Sequence, residues 1–267
     1  MSIPPILLVG CGRMGSAMLA GWREQGLSAS IAVDPAPDAA NWSGADLEVV
    51  PDVAGIPQGF TPEAVVFAVK PQSADETLPH YRKFAGQAVF LSIMAGRTVG
   101  GMRTLLGDDA AIVRAMPNTP AAVRQGMTVA CPGPGVNKPQ GELCERLLKA
   151  IGVVAWVESE ALLDPVTAVS GSGPAYVFLL AELMELAARE QGIPADLARM
   201  LARQTIAGSG ALLASSQEAA DALRVAVTSP GGTTERALAV LMAPDAWPAA
   251  MREAIAAATT RSRELAG

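Results

Sequence analysis

The feature that most restricts what this chain can fold into is its opening, ILLVGCGRMGSAM, residues 6–18. Four apolar residues run into Gly10, Gly12 and Gly15, and a helix-like stretch follows. At a strand-to-helix junction this glycine spacing has a mechanical meaning. The first glycine permits a tight turn, the second lets a pyrophosphate approach the backbone, and the third lets the helix pack on the strand. The new helix then offers free N–H groups and the positive end of its dipole to an anion. The spacing alone is a weak signal, so the rest of the chain has to supply the context.

It does so by alternation. Ile6–Val9, Ile31–Val33, Leu47–Val50, Ala64–Val69, Val89–Ile93, Ala111–Arg114, Met127–Ala130 and Val153–Val157 read as short strands. Helical stretches at Met14–Gln25, Ser73–Phe84, Thr98–Leu106 and Glu142–Ala150 separate several of them. Strands alternating with crossover helices predict an α/β domain with a doubly wound parallel sheet, a Rossmann-type architecture over residues 1–159. Beyond Ser159 the β-branched clusters stop. Ala, Leu, Met, Glu and Arg dominate, and helices are expected at Ala175–Gln191, Asp196–Ser215, Ala219–Val227, Thr234–Ala243 and Pro248–Leu265. Residues 160–267 therefore read as an all-α C-terminal domain. Its stretch Ala175–Leu186 is apolar on nearly every side at first, and such a helix must be buried all round. A domain this small has little interior to offer, so the expected cover is the same helix of a second subunit, a dimerisation domain in a homodimer.

Composition removes other classes. The formal charge is −6 with no basic block, so no nucleic-acid partner is expected. Three widely spaced cysteines, Cys11, Cys131 and Cys144, have neither metal spacing nor a disulfide framework. No metal is expected, and a reducing, cytoplasmic compartment fits. The segment before Ile6 is too short for a signal peptide. The longest apolar run of the helical half, Ala175–Ala181, falls far short of the roughly 20 residues of a membrane span, so no membrane partner is expected.

Candidate ligand-binding residues lie where a doubly wound sheet opens its crevice, at strand C-termini. Asp34 closes the second strand about twenty residues after the glycine run, where a carboxylate can accept from both ribose hydroxyls of NAD. "AVKP", Ala68–Pro71, and "SIMAG", Ser92–Gly96, end two further strands. "AMPNTP", Ala115–Pro120, is a third such turn, in which Asn118 and Thr119 offer hydrogen bonds toward the crevice. His80, the only histidine, reads as a surface residue.

The helical half carries two glycine-rich junctions, "AVSGSGPAYVF" (Ala168–Phe178) and "VTSPGGTTERAL" (Val227–Leu238). Together with "MPNTP" and "GCGRMGSAM", in this order, they make the chain similar to pyrroline-5-carboxylate reductases, the last enzyme of proline biosynthesis. The resemblance implies reduction of the cyclic imine 1-pyrroline-5-carboxylate to L-proline by NADH or NADPH. It also implies a helical domain interlocked with its twin, a substrate pocket at the dimer interface near "SPGGTT", and assembly in many members into rings of dimers. Carried over by motif, Gly10, Cys11, Gly12, Arg13, Met14 and Gly15, Ala68, Val69, Lys70 and Pro71, and Ile93, Met94 and Ala95 face the cofactor. Ser229, Gly231, Gly232, Thr233 and Thr234 hold the substrate, with the Thr234 hydroxyl on its ring nitrogen as the catalytic group.

The chemistry of the residues agrees. "SPGGTT" opens a helix, so its N–H groups suit the substrate carboxylate. An iminium carbon accepts hydride readily, so the site needs mainly orientation. Residues 150–267 hold no Lys and no His, which disfavours hydroxyacid dehydrogenases of similar layout, because those need a proton acceptor there. Asp34 would repel a 2′-phosphate, and no Arg or Lys lies between Arg23 and Lys70. Only Arg13 can reach over the adenine, so NADH is expected to serve at least as well as NADPH. One departure stands out: the family commonly has an acid where this chain has Val225, in Leu223–Val227. Reduction of a related, six-membered imine acid and a non-catalytic dinucleotide-binding role are the alternatives.

Overall fold

The computed structural model describes residues 2–266, the side chain of residue 266 excepted. Its chain forms two compact units. The first runs to Gly171 and takes in the chain again from Ala258; the second is Ser172–Ala257.

The first unit is built on β1 (Ile6–Val9), β2 (Ser30–Val33), β3 (Leu47–Val50), β4 (Ala64–Phe67), β5 (Val89–Ser92), β6 (Ile112–Met116), β7 (Gly126–Pro132) and β8 (Gly152–Trp156). They form one sheet in the order β3-β2-β1-β4-β5-β6-β7-β8. Along β1 the side chains alternate between two cores. Ile6 and Leu8 join Met18, Leu19 and Trp22 on one face, while Leu7 and Val9 join Phe67, Phe90 and Tyr81 on the other. Burial on both faces along β1, β4 and β5 explains why these strands read as unbroken apolar runs rather than alternating ones. On the first face α1 (Arg13–Glu24) is tied down by Trp22, whose Nε1 donates to the Leu147 carbonyl at 2.8 Å.

The sheet is not wholly parallel. β7 runs antiparallel to β6, and β8 returns parallel to β7. The connection from β6 to β7, residues 117–125, is shorter than the dozen or so residues a parallel crossover needs, so the strand must fold back. The expected helix at Ser73–Phe84 is broken into a 3-10 turn, the single α-turn α2 (Ala74–Thr77) and a second 3-10 stretch, Leu78–Phe84. Pro79 lacks the N–H that would continue α2. α3 (Val99–Leu106) starts at Thr98, whose hydroxyl accepts from the Gly101 N–H. α4 (Lys138–Lys149) begins earlier than Glu142, because Asn137 and Gln140 form a reciprocal capping box around Pro139. A short α5 (Leu163–Val166) leads into a π-helical turn, Thr167–Gly171.

The second unit contains α6 (Gly173–Glu190), α7 (Ala195–Ser215), α8 (Ala220–Ala226), α9 (Thr233–Leu241) and most of α10 (Trp247–Ala266). α6 has no buried residue; Phe178 is 67% exposed, and Leu179, Leu183 and Leu186 are exposed beside it. The helical run Glu160–Glu190, 31 residues, is long and apolar enough to cross a membrane by length and composition. The unbroken apolar stretch Ala175–Ala181 understated it, because the structure joins that stretch to the residues before it. α7 packs along one face of α6, and the apolar side chains left exposed on its other faces need a cover.

Candidate active site

The sheet order places a topological switch at β1, whose neighbours β2 and β4 carry the chain off in opposite directions. In such sheets the crevice beyond the strand C-termini at the switch is the ligand site. Here it is edged by Gly10, by Asp34 and by Ala68. The Gly10 N–H donates to the Val33 carbonyl at 2.9 Å, and the Ala68 N–H to the Val9 carbonyl at 2.8 Å.

Each glycine of the turn answers a different demand. Gly10 has φ +98°, and a Cβ on it would lie 2.9 Å from the Ala68 carbonyl oxygen. At Gly15 a Cβ would lie 2.1 Å from the Gly10 oxygen, so this glycine alone lets α1 approach β1. At Gly12 a Cβ would meet nothing of the protein within 4 Å. The backbone there is ordinary and extended, φ −62° and ψ −171°, and the residue caps α1 without any side-chain hydrogen bond. The fold does not need a glycine at position 12; something seated on the uncapped start of α1 would. That is the observation by which these residues fit a dinucleotide pyrophosphate.

Asp34 is held in place. Its Oδ2 accepts from the Cys11 N–H and its Oδ1 from the Ala36 N–H at 2.9 Å, so the carboxylate clamps the glycine turn while keeping lone pairs to spare. Burial, and then the Asp34 carboxylate beside it, push the Cys11 thiol up to about 11, which makes it an inert wall of the turn. Arg13 is exposed at the head of α1.

At the exit of β4, Ala68, Val69 and Pro71 are half-buried and Lys70 is exposed. At the exit of β5, Met94 is buried and Ile93 and Ala95 half-buried. Arg97, just beyond, joins the two exits. Its Nε donates to the Pro71 carbonyl at 2.9 Å, and its Nη1 and Nη2 fork onto Asp75 at 3.0 and 2.9 Å. Sequence reading missed this residue. The signal available was an Arg and an Asp shortly after two neighbouring strand ends. Asn118 is used internally: Nδ2 donates to the Ser170 carbonyl at 3.1 Å and hydroxyl at 3.2 Å, and Oδ1 accepts from the Met127 N–H at 2.9 Å. It fastens the β6–β7 connection to the π-turn.

In the helical unit, "SPGGTT" forms the turn into α9. Gly231 has φ +70°, and the Gly232 N–H donates to the Ser229 carbonyl at 3.0 Å. Glu235 folds back so that its Oε2 accepts from the Gly231 N–H at 2.8 Å. Both glycine N–H groups are therefore used inside the turn. An incoming carboxylate is left the N–H groups of Thr233 and Thr234, at the uncapped start of α9. The Thr228 hydroxyl donates to the Arg224 carbonyl at 2.7 Å, closing α8 onto the turn. Val225, at the position of the departure, is 62% exposed.

Known proteins carry the same layout. A family model described as pyrroline-5-carboxylate reductase dimerisation matches residues 160–265, and one described as NADP oxidoreductase, coenzyme F420-dependent, matches residues 5–96. A pyrroline-5-carboxylate reductase of Pseudomonas aeruginosa is 36% identical across 100% of this chain and 98% of its own. The chain belongs to the pyrroline-5-carboxylate reductase family. Among solved structures, a pyrroline-5-carboxylate reductase from Coxiella burnetii superposes with a TM-score of 0.91 at 31% identity, covering 100% of both chains. A pyrroline carboxylate reductase from Plasmodium falciparum, crystallised with NADP bound, gives 0.84 at 26% identity, again over 100% of both chains. The reductase fold, the oxidoreductase class and its use of a nicotinamide dinucleotide follow from this membership. A dimerisation domain in the helical half supports oligomer formation and accounts for the bare apolar surface of α6.

Proposed function

We propose that the chain reduces 1-pyrroline-5-carboxylate to L-proline. The observation that carries this is the likeness to the P. aeruginosa enzyme along the whole chain. The reduced nicotinamide supplies the hydride. Gly10 to Gly15 seat the pyrophosphate on the start of α1, and Ala68–Pro71 and Ile93, Met94 and Ala95 flank the rest of the dinucleotide. Asn118 acts on this site through the β6–β7 connection it fastens.

In the helical unit, the free N–H groups of Thr233 and Thr234 hold the substrate carboxylate in the turn shaped by Ser229, Gly231 and Gly232. The Thr234 hydroxyl bonds the ring nitrogen and orients the imine carbon. A threonine hydroxyl is too weak an acid to drive protonation, so the imine enters protonated and hydride addition alone completes the amine. The working unit is a homodimer in the cytoplasm, with the apolar residues of α6 covered by a second copy. Free thiols at Cys11, Cys131 and Cys144 fit that compartment. A folded, active monomer in light scattering at low concentration would refute the dimer.

NADH serves at least as well as NADPH, because the clamped Asp34 carboxylate accepts ribose hydroxyls and repels a 2′-phosphate. Steady-state kinetics with both cofactors and both the five- and six-membered imine acids test the whole reading. No cofactor oxidation with either imine would sink it. A preference for NADPH lost in Arg13→Ala and untouched in Asp34→Ser would overturn the cofactor assignment.

A further inference from the structure

We propose that Arg97 is a positioning residue for the dinucleotide, bracing the exit loops of β4 and β5 into one edge of the crevice. The proposal rests on the reading that both loops face the cofactor. Three hydrogen bonds hold the guanidinium, one to the Pro71 carbonyl and two to Asp75. The partners differ in what they do. Asp75 is 64% exposed as a side chain, and an ion pair that wet adds little by itself. It sets the plane of the fork, which aims Nε at Pro71. The bond to Pro71 is the one that reaches the cofactor loop, because Pro71 directly follows Lys70 and opens the 3-10 turn Pro71–Ser73.

The other side of the β5 loop is already blocked. Gly96 has φ +71°, and a Cβ on it would lie 3.0 Å from the Leu265 carbonyl oxygen, where the end of α10 returns to the first unit. The loop is thus backed by α10 at Gly96 and strapped to the neighbouring loop at Arg97. Without the strap, each strand exit is a separate short loop, and binding must order both.

The test uses the full-length enzyme and a direct dissociation constant for NADH and NADPH, read by nicotinamide fluorescence, alongside KM and kcat for the imine. Arg97→Ala raises the cofactor dissociation constant about 5- to 20-fold, the scale of one or two lost hydrogen bonds, and leaves the imine KM within about twofold. Arg97→Lys, which cannot fork, restores only part of the affinity. Asp75→Asn, which frees the guanidinium to swing, weakens binding about 2- to 5-fold. A purely structural role would lower the melting temperature and leave the dissociation constant at 25 °C unmoved, and that result overturns the proposal. So does Arg97→Ala weakening with Asp75→Asn at wild-type affinity, because that pattern marks a direct Arg97–phosphate contact. Should Arg97→Ala fail to fold, the Lys and Asn variants carry the same comparison. A wild type that binds neither cofactor overturns the functional reading, and the brace with it.

Discussion

Gly12 and Gly15 stand three residues apart, and alanine at each should fail in opposite ways. At Gly15 the new methyl would lie 2.1 Å from the Gly10 carbonyl oxygen, a backbone atom that cannot turn aside. α1 would have to move off β1 by more than an ångström. Overpacking of that kind costs about 1–3 kcal/mol, or a melting point lower by about 2–12 °C at roughly 2–4 °C per kcal/mol. At Gly12 the methyl meets no protein atom, and the backbone angles there suit alanine. Reduced unfolded-state entropy gains about 0.4–1 kcal/mol, and the poorer N-cap loses a comparable amount. The stability of Gly12→Ala therefore stays within about 1 kcal/mol of wild type. If a pyrophosphate lies against that backbone, the same methyl overpacks the complex by about 1–3 kcal/mol, a dissociation constant about 5- to 150-fold higher. Thermal melts without cofactor and nicotinamide-fluorescence titrations separate the two. A Gly12→Ala enzyme that binds NADH and NADPH like wild type would refute the placement of the pyrophosphate.

Thr234→Ala should lower kcat/KM about 5- to 150-fold through one lost orienting hydrogen bond while cofactor affinity holds; a loss of cofactor binding instead would put Thr234 in the wrong site. Arg23, at 2.9 Å, holds the Asp46 carboxyl below its usual range, chiefly by hydrogen bonding. A depressed carboxylate stabilises above its unfolded value near pH 4 and loses that stabilisation as the pH falls below it. Wild type should accordingly lose more melting temperature than Asp46→Asn between pH 5 and pH 3, and parallel curves would refute the pairing. Burial pushes the Cys144 thiol up to about 12, and burial with Asp34 pushes Cys11 up to about 11. In the native enzyme at pH 8 neither should react quickly with a thiol reagent, whereas the denatured chain should expose all three cysteines; a fast native burst would contradict the burial.

What could be read in advance from the residues is what local physics decides. The strands announced themselves because a sheet covered on both faces needs unbroken apolar runs, and β1, β4 and β5 are such runs. The glycine turn was legible for the same kind of reason, since Gly10 needs a positive φ and Gly15 would press a side chain onto the Gly10 carbonyl oxygen just before it in the chain. The start of α4 was present in Asn137, Pro139 and Gln140, a capping signature overlooked in favour of the later apolar stretch. The reversal of β7 was not legible as an apolar pattern, because strand direction depends on the length of the connection and not on the strand. Asn118 and Arg97 show the other limit. Both are polar residues at strand ends, where a ligand contact and an internal bond leave the same trace in a sequence. Asn118 bonds a residue 52 positions away, and Arg97 bonds Pro71 and Asp75, 26 and 22 positions away. Only the tertiary structure says which polar atoms are already used. The same reasoning applies to α6 with the sign reversed. A helix that leaves Phe178, Leu179, Leu183 and Leu186 exposed states that something covers it, yet lipid, core and a second copy all bury a leucine equally well. The identity of the cover lies in how this surface matches another surface, which no single chain can display, and for this family the match is to a dimerisation domain.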